Sequence, residues 1–269
     1  MKNKHIYKFI YILLFCLLNI SVSSSEQFNF DVTEIEIVNN GNIYKGFKGG
    51  IVTTDNGLVI RAEKFIYDKI TNVVTAENNV KIEDQINKYI IFSDKAIYQR
   101  NEELVFTEGN SRAIDDQKRE ITAKKISYNQ KLNTIEAENN VKITNDIEDY
   151  EIYTNQITYF RLDEKVITKG FTEANIGSEY NIKSKDVFFK LNPKELSSDF
   201  KSTILKKSNS QIYYLEQFVF QIDKDILKGK EIITITKYNL PKSDKFYFSE
   251  GIFNLKDKIF LAKDTKINV

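Results

Sequence analysis

The heptapeptide Ala76-Glu-Asn-Asn-Val-Lys-Ile82 returns unchanged 61 residues further along, as Ala137-Glu-Asn-Asn-Val-Lys-Ile143. Half of this spacing is the length of a unit of about 30 residues that repeats along the chain. One small or short apolar residue marks each unit, and we name these positions the anchor column: Val32, Ala62, Ser93, Ala123, Thr154, Ser184, Leu215 and Ser249. A fixed period of this kind predicts an array of one structural unit.

Each unit contains two runs in which Ile, Val, Tyr and Phe recur two residues apart. This alternation is typical of a strand that buries one face. Short polar segments separate the two runs, at residues 68–72, 99–103, 129–133 and 192–194. The last of these contains Pro193, which a turn accepts because no ladder bond needs its missing donor. The sequence therefore predicts about eight antiparallel hairpins.

Two polar residues follow the anchor in several units, as in Glu63-Lys64, Asp94-Lys95 and Lys124-Lys125. The apolar alternation then resumes one residue late. A β-bulge or bend produces such a shift of phase. Bends at one level of every strand would curl the whole sheet.

The first 25 residues have the order of parts found in a secretory signal peptide. Three lysines come at or before the start of an apolar run at residues 9–20, and small residues follow up to Ser25. We predict a signal peptide at residues 1–25 and one repeat domain at residues 26–269. An uncleaved anchor is the alternative, but the apolar run is shorter than the ~20 residues that span a bilayer.

This predicted cleavage gives a first test by mass spectrometry of material from the periplasm. We expect a mature protein that begins near Glu26, because the small residues before it suit signal peptidase. An intact Met1 would indicate an anchored protein instead.

Removal of residues 1–25 would leave a chain without histidine or cysteine, since His5 and Cys16 are the only ones. Such a chain has no thiolate nucleophile, no Ser-His-Asp triad, no disulfide and no zinc or copper site of the usual nitrogen and sulfur ligands. We therefore expect no enzyme activity, no metal and no cofactor. The formal charge would be −2, from 36 basic and 38 acidic residues, which gives no indication of a nucleic-acid partner.

The units at residues 60–67 with 74–82, and 121–128 with 135–143, resemble the organic-solvent-tolerance (OstA) repeat. This repeat is shared by the lipopolysaccharide-transport proteins LptA, LptC and the N-terminal part of LptD. Residues 195–198, 214–220 and 226–229 are more similar to the LptD branch. The resemblance implies an all-β fold, an open twisted antiparallel β-jelly roll. It also implies a periplasmic scaffold whose inner apolar face takes the acyl chains of lipopolysaccharide.

Two features of the LptD branch are missing from this sequence. That branch continues into an outer-membrane β-barrel, and many of its members carry disulfide-forming cysteines. We therefore expect either a shortened member of that branch or a separate, LptA-like bridge protein.

The resemblance implies a lipid groove lined by apolar residues that recur at the same inward-facing positions of successive repeats. Its residues would be Ile60, Ala62, Phe65, Tyr67, Ile91, Tyr98, Ile121, Ala123, Tyr128, Ile152, Tyr159 and Ile182. Ordinary core packing explains equally well why these positions are apolar. The small residues of the anchor column favour the groove, because a tightly filled core usually combines large and small side chains at equivalent positions.

The first predicted strand, residues 28–37, alternates regularly and contains neither proline nor lysine. An edge strand of this kind can accept a strand from another protein. We expect Phe30, Val32, Ile35 and Ile37 to form such a partner edge. The expected partners are other jelly-roll transport proteins by edge-strand pairing, together with lipopolysaccharide and, by resemblance to the LptD branch, an outer-membrane β-barrel.

Two alternatives from other functional classes remain open at this point. Asp115 with Asp116, or Asp146 with Glu148, could form a carboxylate pair for glycoside cleavage, although solvated loop charges explain them more simply. A parallel β-helix, as in adhesins or polysaccharide-degrading enzymes, also repeats every few tens of residues. A hairpin would place Tyr67 opposite Val74 of its own unit, whereas a β-helix would stack it on the next unit.

Overall fold

The computed structural model describes residues 28–268. The predicted signal peptide therefore lies outside the described residues. Among those described, the 3₁₀ turn Ile222–Lys224 is the one helical element, and no helix has the length and apolar character needed to cross a membrane. The rest of the described chain forms strands and turns.

Within the described residues the alternating sequence forms twenty-three strands, most of which bury every second residue. They are β1 (Phe28–Val38), β2 (Ile43–Thr54), β3 (Leu58–Ala62), β4 (Lys64–Asp68), β5 (Val73–Asp84), β6 (Tyr89–Gln99), β7 (Leu104–Glu108), β8 (Ser111–Ile114), β9 (Glu120–Ala123), β10 (Lys125–Asn129), β11 (Thr134–Asn145), β12 (Tyr150–Phe160), β13 (Lys165–Ile176), β14 (Tyr180–Lys185), β15 (Phe188–Leu191), β16 (Lys194–Ser198), β17 (Ser202–Lys206), β18 (Gln211–Leu215), β19 (Gln217–Gln221), β20 (Ile226–Ile235), β21 (Lys245–Asn254), β22 (Ile259–Lys263) and β23 (Lys266–Asn268).

Every strand pairing within residues 28–268 is antiparallel. Tyr67 lies opposite Val74, as a hairpin requires. The antiparallel jelly roll is thus confirmed, and the parallel β-helix is excluded. The predicted turns at residues 68–72, 99–103 and 129–133 fall between strands as expected.

The long strands each run through two layers of sheet. In β5, residues 81–84 pair with β3, whereas residues 73–77 pair with β4. The first layer contains β3, β8, β9, β14, β17, β18 and β23, and the second contains β4, β7, β10, β15, β16, β19 and β22. The two layers therefore join along one bend and face each other across a common interior.

The bend lies where the repeat places its polar residues. Glu63 separates β3 from β4 and Lys124 separates β9 from β10, which confirms the predicted bend. The repeated heptapeptide supplies the facing half of the bend, because its two asparagines adopt left-handed backbone conformations, with φ of 65° and 52° at Asn78 and Asn79. Asparagine tolerates this conformation better than most residues. The amide of Glu63 donates to the carbonyl of Asn78 at 3.2 Å and ties the two halves together.

The roll is open in one respect: its two edges do not pair with each other. Within the described residues, β1 pairs only with β2, and β22 and β23 pair only with β21. The inward residues of both layers nevertheless form one continuous apolar cluster that extends from Phe28 to Leu255. This interior is where any lipid groove has to lie.

Candidate functional site

The twelve predicted groove residues all face the common interior, where each is buried. Their exposed fractions are 9% or less, from Tyr128 and Ile152 at 0% to Tyr67 at 9%. The structure thus brings these residues together in one core. Their contact with lipid stays a prediction, because packing against each other accounts for their burial.

Small residues of the anchor column lie beside the bend, where the two layers approach each other. There the hydroxyl groups of Ser184 and Ser202 lie 2.7 Å apart, and the Thr172 hydroxyl donates to that of Thr154 at 3.2 Å. Both contacts join neighbouring strands of the sheet. These hydrogen bonds account for the serine and threonine anchors without a groove.

Aromatic rings fill the N-terminal end of the interior. Phe28 lies 4.7 Å from Tyr67 between ring centroids, and Phe30 lies 5.4 Å from Tyr67. Phe30 and Val32 are half-buried, whereas Ile35 and Ile37 are about half exposed. The predicted partner edge therefore has an inner part that packs on the core and an outer part that faces solvent.

A cleft of about 350 Å³ opens at the C-terminal end of the interior. Its walls include Tyr213, Phe246, Phe248, Phe253 and Phe260. Phe248 and Phe253 meet edge to face at 5.5 Å, an arrangement that aromatic rings favour. This end of the interior is less completely filled than the middle.

The turns of the two layers form two rows on the side opposite the bend, and we name the space between these rows the mouth. The first-layer row consists of turns at residues 55–57, 85–88, 115–119, 146–149, 177–179, 207–210 and 236–244. The second-layer row consists of turns at residues 39–42, 69–72, 100–103, 130–133, 161–164, 192–193, 222–225 and 255–258. Side chains from the two rows meet across the mouth, and we name these contacts the seam.

The first part of the seam is built from amide side chains. The Asn56 side-chain amide donates to Tyr98 Oη at 2.8 Å and to Gln130 Oε1 at 2.6 Å, and Gln130 Nε2 donates back to the Asn56 carbonyl at 2.8 Å. Asn87 Nδ2 similarly donates to Tyr128 Oη at 3.0 Å. These bonds satisfy polar groups that would otherwise face an apolar interior.

Buried tyrosines point their hydroxyl groups from the interior toward the seam. Burial raises the pKa of Tyr98 to about 12. Burial, followed by the hydrogen bond to Asp84, raises the pKa of Tyr128 well above its ordinary value. The Tyr128 hydroxyl therefore stays protonated and donates to Asp84 Oδ2 at 2.6 Å. These rings are apolar towards the core and polar towards the mouth.

A buried ion pair within the turn at residues 115–119 lies beside the middle of the seam. Arg119 Nε donates to Asp115 Oδ2 at 2.7 Å, and the exposed fractions of the two side chains are 4% and 1%. Asp115 also accepts from the Tyr159 hydroxyl of the opposite row, at 3.3 Å. The interpretation of Asp115 as a solvated loop charge is therefore wrong, because the adjoining turn folds back over it. Its neighbour Asp116 pairs with Arg161 at 2.6 Å across the mouth.

The seam continues towards the C-terminus with mixed contacts. Lys194 Nζ lies 3.6 Å from Glu148 Oε2, and Tyr180 Oη donates to Asp225 Oδ1 at 2.7 Å. Glu148 thus contacts a lysine of the facing row. Among the described residues, no group of three or more His, Cys, Asp or Glu side chains is arranged to hold a metal ion.

The sequence contained a signal for the seam that alternation alone does not reveal. Most of its pairs lie about one and a half repeats apart, as in Asp55 with Arg100, Asp84 with Tyr128, and Asp116 with Arg161. A search for complementary polar residues at that offset would have found them.

Comparison with known proteins adds a likeness to solved structures. No family model matches the chain, and no curated protein matches it. Among solved structures it is similar to LptH of Pseudomonas aeruginosa, described as the LptA-homologous periplasmic component of the conserved lipopolysaccharide transport device. The two are 12% identical with a TM-score of 0.40, over 44% of this chain and 94% of that chain. At this identity and TM-score the likeness carries no argument about function.

Proposed function

We propose that this chain is a periplasmic scaffold that binds the acyl chains of lipopolysaccharide between the two layers of its jelly roll. The observation that carries the proposal is the apolar interior, which continues without a crossing strand from Phe28 at one edge to Leu255 near the other. A fold that only needed stability could divide such an interior with cross-connections. An uninterrupted apolar interior suits long alkyl chains.

The distribution of polar groups supports an amphiphilic ligand. The interior is lined by aliphatic and aromatic side chains, whereas the mouth is lined by arginine, lysine, carboxylate and amide groups. Alkyl chains inside and a polar headgroup at the mouth would each meet matching chemistry. The resemblance of residues 60–82 and 121–143 to the OstA repeat favours lipopolysaccharide as that amphiphile.

Within this function, we favour a role like that of the N-terminal part of LptD over that of an LptA-like bridge. The support is the similarity of residues 195–198, 214–220 and 226–229 to that branch. In either role the chain would join other jelly rolls through an edge strand. β1 suits this task because, within residues 28–268, it pairs on one side only, and it carries no lysine or proline.

Photo-crosslinking tests the proposal directly. Benzoylphenylalanine at the buried positions Ile91, Ile121 and Tyr128 should capture lipopolysaccharide in cells, because these side chains face the interior. The same group at Glu63 or Lys124, which are exposed at the bend, should capture about tenfold less. Circular dichroism of each variant checks that the strands remain folded. Equal capture at the two sets of positions would contradict an interior site.

A further inference from the structure

The middle of the interior is closed to a lipid in this conformation. Ile121, Tyr128 and Ile152 are each 3% exposed or less. Interior side chains this well covered offer an alkyl chain no path from solvent. If lipid reaches them, as the proposed function requires, the layers have to separate somewhere.

The mouth is the side where separation breaks the fewest bonds. Backbone hydrogen bonds tie each row of turns together internally, as from Arg100 to Asn72 at 3.1 Å and from Gly177 to Asp149 at 2.7 Å. Among the described residues, no backbone–backbone hydrogen bond joins one row to the other. At the turns, the rows are held to each other by side-chain contacts of the seam, and behind them the two layers pack on each other through the apolar interior. Opening the mouth would therefore leave every strand ladder intact.

Several contacts of the seam are ones that water can replace at small cost, whereas the hydrogen bonds from Tyr128 to Asp84 and from Tyr159 to Asp115 are buried. Asp55 and Asp116 are about half exposed, so their ion pairs with Arg100 and Arg161 are partly solvated already. The amide contacts of Asn56 can be exchanged for water in the same way. On the opposite side, long strands such as β5 and β11 pass from one layer into the other, so the layers can pivot but not detach.

Aliphatic side chains flank the seam on both rows. They stand at the tips of turns and are 60–76% exposed: Ile70, Ile86, Leu132, Ile147 and Leu162. Four of them adjoin a seam residue in the sequence, as Ile86 adjoins Asn87 and Leu162 adjoins Arg161. Asx turns hold Ile70, Ile86 and Ile147 in place, each backbone amide donating to an Asp or Asn side chain at 2.9 Å. An alkyl chain that approached the mouth would meet these side chains first.

We propose that the seam is a lateral gate: the two rows of turns part to admit the alkyl chains of an amphiphile sideways, past the aliphatic tips and into the interior. The inference rests on the proposed function and adds the route of entry. In the closed state the seam covers the interior with polar groups. In the open state the bend acts as the hinge.

A cleavable cross-link across the mouth tests the gate. In the full chain carrying Cys16→Ser, Asp116→Cys with Arg161→Cys places two thiols across the seam, and a thiol-cleavable bismaleimide joins them. Asn72→Cys with Asn101→Cys is the matched control, because these two side chains meet at 3.3 Å within one row. Binding of radiolabelled lipopolysaccharide is then measured by gel filtration, before and after reduction of the linker.

We expect the cross-mouth link to reduce lipopolysaccharide binding by about tenfold or more, and reduction to restore it. The control link should change nothing. Binding within about twofold of the control by the locked protein would overturn the gate and direct entry to the ends of the roll. No binding by the unlinked wild-type chain would instead overturn the proposed function, and the gate with it.

Discussion

Replacing Arg119 with methionine is expected to lower the free energy of unfolding by about 3–5 kcal/mol. The substitution keeps most of the side-chain volume but removes the guanidinium that faces Asp115, whose side chain is 1% exposed. A carboxylate buried without its cation is costly, because the remaining neighbours compensate its charge only in part. Thermal unfolding followed by circular dichroism measures the loss, with an expected fall in melting temperature of about 6–20 °C.

A double variant and an exposed pair control this experiment. Asp115→Asn with Arg119→Met should lose less than the sum of the two single variants, because no unpaired charge stays buried. Lys201→Met, in a pair whose side chains are 84% and 50% exposed, should change stability by less than about 1 kcal/mol. If Arg119→Met were no worse than Lys201→Met, the central ion pair would not be buried as described.

The hairpins, the turns and the level of the bend could be predicted from the sequence, because each depends on neighbours in the chain. Alternation sets which residues face inward, and the polar pairs such as Glu63-Lys64 mark where it shifts by one residue. The repeat then multiplies a weak local signal over many units. The role of Asn78 and Asn79 at the bend was missed, since their backbone conformation is not visible in an alternation of apolar and polar residues.

The seam could not be predicted from the same pattern, for a physical reason. Its partners meet only after the sheet has folded along the bend and brought turns one and a half repeats apart face to face, as for Asp84 and Tyr128. Polar residues in turns are solvated in most proteins, so Asp115 carried no sign of burial. The twelve groove residues were predicted correctly to face inward. Whether they contact lipid or only each other depends on whether the mouth opens.

The second large expected effect is the loss of partner binding through the predicted partner edge in β1. β1 pairs with β2 through residues 28–38, and its other side has no neighbour among the described residues. Successive residues of a strand direct their N–H groups alternately to the two sides, so the free side presents a row of unpaired donors and acceptors. Another jelly roll could continue both the sheet and the interior from this edge.

We expect Val32→Pro and Ile35→Pro to abolish co-purification with an LptA-type jelly-roll protein of the same organism. Proline removes an N–H and cannot extend a ladder, so strand addition at this edge should fail. The fold should survive, since an edge strand tolerates proline better than a central one. Circular dichroism checks this for both variants.

Leu261→Pro is the matched control, because it places the same change in β22 at the opposite edge of the roll. There the exposed side chain of Leu261 lies beside Lys263, a residue type that discourages edge pairing. The control should co-purify with the jelly-roll partner as the wild type does, because the proposed binding edge is β1. Wild-type yield from both Val32→Pro and Ile35→Pro would show that the partner binds elsewhere, whereas loss of binding only in Leu261→Pro would move the interface to the C-terminal edge, beside the cleft of Phe253 and Phe260.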